Sequence, residues 1–79
     1  MFTLYVGGLP PETDSDALAK LFAEYGELHA ARVVMRPSTN RCRGFGYVTF
    51  VTDRAAALAR AALDGREFSG GRLRVAAAT

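Results

Sequence analysis

The chain reads as an α+β fold with the order strand, helix, strand, strand, helix, strand, closing into one four-stranded antiparallel sheet with two helices on one face. Three observations predict it. The octamer Arg43-Gly44-Phe45-Gly46-Tyr47-Val48-Thr49-Phe50 alternates two kinds of residue, as an extended chain requires when its two faces meet different surroundings. Leu4-Tyr5-Val6 alternates in the same way. Between them, Leu18, Leu21, Phe22 and Tyr25 recur at i, i+3, i+4 and i+7, the stripe of an amphipathic helix.

The first strand is expected from Phe2 to Gly7, ended by Gly7-Gly8 and the Pro10-Pro11 pair. Thr13 or Asp14 offers an N-cap to the first helix, Asp16 adds negative charge to its first turn, and Gly26 stops it. Leu28 to Met35 reads as a second strand, with Ala31, Val33 and Met35 inward and Arg32 and Val34 outward. Pro37-Ser38-Thr39-Asn40 is a loop in which Asn40 can take the left-handed conformation. The octamer is the third strand. A second helix follows from about Asp53 to Leu63, closed by Asp64-Gly65, with Ala55, Ala56, Ala59, Ala62 and Leu63 as a thin inward face. Gly70-Gly71 leads into Arg72-Leu73-Arg74-Val75-Ala76, the last strand.

Parity assigns the faces of the two patterned strands. Phe45, Tyr47 and Thr49 share one face, Val48 and Phe50 the other; Tyr5 opposes Leu4 and Val6. The aliphatic face needs the helices more, so the rings Tyr5, Phe45 and Tyr47 are left on an uncovered face. Gly44 and Gly46 are read as room beside them for something planar. Exposed rings are disfavoured unless they meet a partner, and a flat π-face suits a nucleobase.

The octamer and the hexamer Leu4-Tyr5-Val6-Gly7-Gly8-Leu9 resemble the two signatures of the RNA recognition motif family, with Gly8 where the family often has Asn. The resemblance spans Phe2 to Ala76, so residues 1–79 are expected to form a single such domain with a ferredoxin-like split βαβ fold. It implies a binder of single-stranded RNA, with single-stranded DNA as a second acceptable ligand, stacking two or three bases on Tyr5, Phe45 and Tyr47. In the family a basic residue at the place of Arg43 pairs with a backbone phosphate. Arg41 and Arg36, expected in the adjacent loop, are candidates to clamp the strand, and Arg32, Arg72 and Arg74 to reach the open face from flanking strands. The second helix departs from the family pattern: Arg60 stands where a branched aliphatic residue is usual, and Leu58 where a polar one is. Either the helix rotates or Arg60 snorkels its stem along the core edge.

Charge distribution agrees with this reading. Between Leu28 and Thr52 there are four arginines and no carboxylate, whereas Glu12, Asp14, Asp16, Glu24 and Glu27 gather around the first helix. Nine of the ten basic residues are arginine, which stacks on bases and grips phosphate with a planar fork. Fourteen alanines beside them also fit a coding bias, which explains the choice of arginine but not its placement.

Other functions find little support. His29 and Cys42 are the only histidine and cysteine, too few for a zinc site or a disulfide, and no Ser/His/Asp set can be assembled. Cys42 reads as a loop thiol with no assigned task. Gly7-Gly8 completes neither a dinucleotide fingerprint nor a P-loop, so no enzyme activity, cofactor, metal or small-molecule substrate is expected. No apolar run approaches the roughly 20 residues of a membrane span, and Met1-Phe2-Thr3-Leu4 does not read as a signal peptide. The alternative is a protein-interaction module of the same fold, using sheet or helices to bind a peptide or to dimerise; oligomeric state is left open. Alanine and arginine content, brevity and the lack of a nuclear-type basic cluster point to a cytoplasmic protein of bacterial origin.

Overall fold

The computed structural model describes residues 1–78. Strand β1 spans Phe2–Gly7, helix α1 Ser15–Phe22 with a 3₁₀ turn at Ala23–Tyr25, β2 Leu28–Arg36, β3 Arg41–Phe50 and helix α2 Asp53–Leu63. Two short strands, β4 Glu67–Phe68 and β5 Gly71–Arg72, form a hairpin of their own, and β6 Arg74–Ala77 follows. The main sheet is ordered β2-β3-β1-β6, with every neighbouring pair antiparallel. This is the expected ferredoxin-like architecture.

Asp14 is the N-cap of α1, its carboxylate accepting from the Ala17 N–H at 2.8 Å, while Thr13 is buried. Ser15 Oγ accepts from the Val33 N–H of edge strand β2 at 3.1 Å, which ties the helix start to the sheet. Thr52 caps α2 through the Ala55 N–H, and Asp64 at its other end accepts from Val75 N–H at 2.9 Å. The core is a single cluster in which Leu4, Val6, Val48 and Phe50 of the sheet meet Leu18 and Phe22 of α1 and Ala55, Ala56, Ala59 and Leu63 of α2. Helices therefore cover the aliphatic face.

Four local expectations are corrected. Met35 does not point inward: two register steps on β2, from Val33 to Met35, oppose four on β3, from Gly46 to Cys42. That bulge breaks the alternation and leaves Met35 38 % exposed. Ala62 is exposed, because at 100° per residue it lies roughly 75° from the centre of the buried set Ala55, Ala56, Ala59 and Leu63. Cys42 is a buried strand residue instead of a loop thiol; its Sγ accepts from the Gly44 N–H at 3.2 Å, inside the bulge. The last strand is broken at Leu73, whose N–H and carbonyl pair with Arg66 and Gly65 in the turn after α2. Ser69 and Gly70 both take positive φ and reverse the chain between β4 and β5, so Arg72 ends that hairpin.

The two readings of Arg60 are resolved by the buried set of α2. The helix keeps its alanine face inward and Leu58 outward, and Arg60 lies exposed along a groove edged by Phe2 and Leu4.

Candidate nucleic-acid interface

Pairing across β2, β3, β1 and β6 arranges the open face in transverse rows. Arg32, Tyr47, Tyr5 and Ala76 stand in one row, each the pairing partner of the next. Phe45, Gly7 and Arg74 make the row on one side, and Ala30, Thr49 and Thr3 the row on the other. No carboxylate stands in these rows. All three ring residues are half-buried.

The rings form a triangle. Tyr5 and Phe45 have centroids 5.8 Å apart at 30°, Tyr5 and Tyr47 6.1 Å apart at 68°, and Phe45 and Tyr47 6.2 Å apart at 90°. These separations fall in the range of favourable aromatic pairs, so the rings hold one another upright. Tyr5 leans along its own strand over Gly7, where a Cβ would come within 2.6 Å of the phenol oxygen and 3.0 Å of the ring. Gly7 thus supplies space that sequence reasoning assigned to Gly46. The correction follows from parity: Gly46 is buried on the helix side, where a Cβ would meet the Arg32 carbonyl at 2.6 Å and Leu18 Cδ2 at 3.1 Å. Gly44 meets only the Leu9 carbonyl, at 3.8 Å, and its φ of +99° serves the bulge.

Register also creates a contact that single-strand parity cannot show. Thr3 and Thr49 are pairing partners, and their hydroxyl oxygens lie 2.9 Å apart in a hydrogen bond. Parity placed Thr49 beside the rings; only the pairing of β1 with β3 brings Thr3 to it.

The arginines separate into groups. Arg32 flanks Tyr47 on β2, and Arg74 flanks Gly7 on β6, as expected of the open face. Arg72 does not join them: it belongs to the β4–β5 hairpin and donates to the Gly65 carbonyl at 3.1 Å. Arg36 and Arg41, expected in a loop, instead end β2 and begin β3 as a cross-strand pair. Asn40 sits between them with φ 56° and donates to the Arg36 carbonyl. With Arg43 they line a hollow of about 400 Å³ floored by Leu9, Pro11 and Cys42. Like charges directly opposite across a ladder repel, so this end of the sheet favours an anion.

A sequence model of the RNA recognition motif matches residues 4–74. The chain belongs to the RNA recognition motif family. It is 45 % identical over 67 residues to glycine-rich RNA-binding protein 3, mitochondrial, of Arabidopsis thaliana, an alignment covering 85 % of this chain and 22 % of that protein. It is 44 % identical over 72 residues to the 28 kDa ribonucleoprotein, chloroplastic, of Spinacia oleracea, covering 91 % of this chain and 31 % of the relative. The chain thus spans less than a third of the length of these two curated relatives. Among solved structures, the crystal structure of RNA Binding Protein PG1 superposes with a TM-score of 0.93 at 35 % identity, covering 99 % of this chain and 94 % of the other. RNA recognition motif proteins are binding proteins and not typically enzymes.

These relatives correct one expectation. A cytoplasmic protein of bacterial origin is at odds with similarity to proteins of plant mitochondria and chloroplasts. Alanine and arginine content carries no cellular address.

Proposed function

We propose that this chain is a single RNA recognition motif module that binds single-stranded RNA on its open sheet face. The observation that carries the reading is the triangle of half-buried rings, Tyr5, Phe45 and Tyr47, on the face the helices leave bare. Two or three bases stack on these rings at about 1–3 kcal/mol each. Arg43, with Arg41 and Arg36 around the hollow at the end of the β2–β3 hairpin, holds backbone phosphates. Arg32 and Arg74 flank the stacked bases from β2 and β6. Single-stranded DNA offers the same bases and phosphates and is a weaker second ligand, lacking the 2′-hydroxyl.

The rings reach only unstacked bases, so strandedness is the test. In fluorescence anisotropy, a labelled RNA oligomer should bind far more tightly than its annealed duplex. Equal affinity would reduce the interaction to electrostatics alone and overturn the stacking reading.

A further inference from the structure

The open face holds a recess beside the ring triangle. Thr3, Ala30, Arg32, Tyr47, Thr49 and Ala78 line a hollow of about 610 Å³ between β2 and the β1–β3 pair. Ala30 and Ala78 are small and leave it open, and the Tyr47 ring forms one wall. Its polar equipment is specific. Thr3 and Thr49 share one hydrogen bond at 2.9 Å, in which either oxygen can be the donor. Two hydroxyls carry two protons, so the pair retains one free O–H donor and unused lone pairs. Arg32 is exposed at the rim, with a planar fork that can only donate. Among the described residues, the one arginine side-chain hydrogen bond is that of Arg72, so the Arg32 fork is uncommitted.

We infer that this recess is a base-reading subsite selecting guanine for the nucleotide next to the one stacked on Tyr47. The inference rests on the reading of the open face as an RNA site and adds a specificity to it. A guanidinium fork matches the two adjacent acceptors O6 and N7 of guanine, a bidentate fit. Adenine places an amine donor where O6 stands and meets the fork donor to donor. Uracil separates its O4 and O2 acceptors by the N3–H donor and so offers the fork no adjacent pair, whereas unpaired cytosine presents adjacent O2 and N3 and is the nearest competitor. Guanine also carries N1–H and amine donors, which the lone pairs of the threonine pair can accept. The fork therefore prefers guanine to adenine and uracil, with cytosine the nearest competitor. The rings tolerate any base, so discrimination resides in Arg32, Thr3 and Thr49.

The test steps a single guanosine through a short oligouridine and measures affinity at each register, with adenosine in the same places as control. Wild-type protein should prefer guanosine over adenosine at one register by roughly tenfold. Arg32→Lys keeps the charge but loses the fork, and should erase the preference for guanosine over adenosine at that register. The Thr3→Val/Thr49→Val pair keeps the shape, loses the hydroxyls and should reduce the preference; if it unfolds, Arg32→Lys alone decides. A wild-type protein that binds through its rings without any guanosine preference overturns the subsite and leaves the sheet reading intact. So does a preference that survives Arg32→Lys. Binding that persists after removal of the Phe45 and Tyr47 rings overturns both.

Discussion

The phenol of Tyr5 lies over the α-carbon of Gly7, so close that a Cβ there would fall 2.6 Å from its oxygen. Gly7 therefore holds Tyr5 in the ring triangle by being empty. The collision involves the far end of a side chain, which can swing away, so Gly7→Ala should preserve the fold and displace the ring. RNA affinity should drop by up to about 1–3 kcal/mol, the worth of one stacked base. A double-mutant cycle checks the cause: in a Tyr5→Ala background, Gly7→Ala should have little further effect on binding. Additive losses would mean that Gly7 acts by another route.

Removing rings from the open face should separate binding from folding. Phe45→Ala with Tyr47→Ala deletes two half-buried rings whose strand neighbours on the other face stay packed against the helices. RNA affinity should fall by about 2–6 kcal/mol, with a cooperative thermal transition retained. Phe50→Ala is the contrasting variant, because its fully buried ring packs 6.3 Å from that of Phe22. That change should destabilise the fold by about 3–5 kcal/mol, measured by denaturant unfolding.

The periodic features of this fold are legible in its sequence, and the departures come where periodicity is interrupted. Alternation in β1 and β3 is enough to put Tyr5, Phe45 and Tyr47 on one face and Leu4, Val48 and Phe50 on the other. The same alternation, carried along β2, misplaces Met35, because the bulge beside Cys42 consumes extra residues of β3 without any mark in β2 itself. Leu73 breaks the last strand by pairing with a turn that is distant from it in pattern though near in sequence. The Thr3–Thr49 bond depends on register between strands, a quantity that one strand's pattern does not contain. Gly46 is a different case. Its neighbours Phe45 and Tyr47 already fix its direction by parity, toward α1 and away from the rings.

Two glycines of similar appearance should thus behave in opposite ways. A Cβ at Gly46 would meet backbone, the Arg32 carbonyl at 2.6 Å and Val33 Cα at 3.0 Å, together with Leu18 of α1. Neighbouring strands in a ladder cannot withdraw as a side chain can. Gly46→Ala should destabilise the protein by about 1–3 kcal/mol, read as a lower midpoint in urea. Where Gly7→Ala affects binding with the fold kept, Gly46→Ala affects folding first; a native-like midpoint for Gly46→Ala would show that β2 yields at that contact.

Salt dependence can assign the arginines. A side chain that neutralises one phosphate releases counterions, so losing it should flatten the log–log dependence of affinity on salt by about 0.7 for a single strand. Arg43→Ala should weaken binding across RNA sequences and show nearly that change. Arg41→Ala should change the slope in the same direction but by less, since Arg36 stands opposite it and can serve the same phosphate. Tyr5→Phe removes no charge and should leave the slope where it was, whatever it does to affinity. Arg32→Lys also keeps its charge, so any effect it has on base preference should appear without a change of slope. The deciding measurement is Arg43→Ala titrated from low to moderate salt. An unaltered slope there would remove Arg43 from the phosphate contacts and leave the rings to act without it.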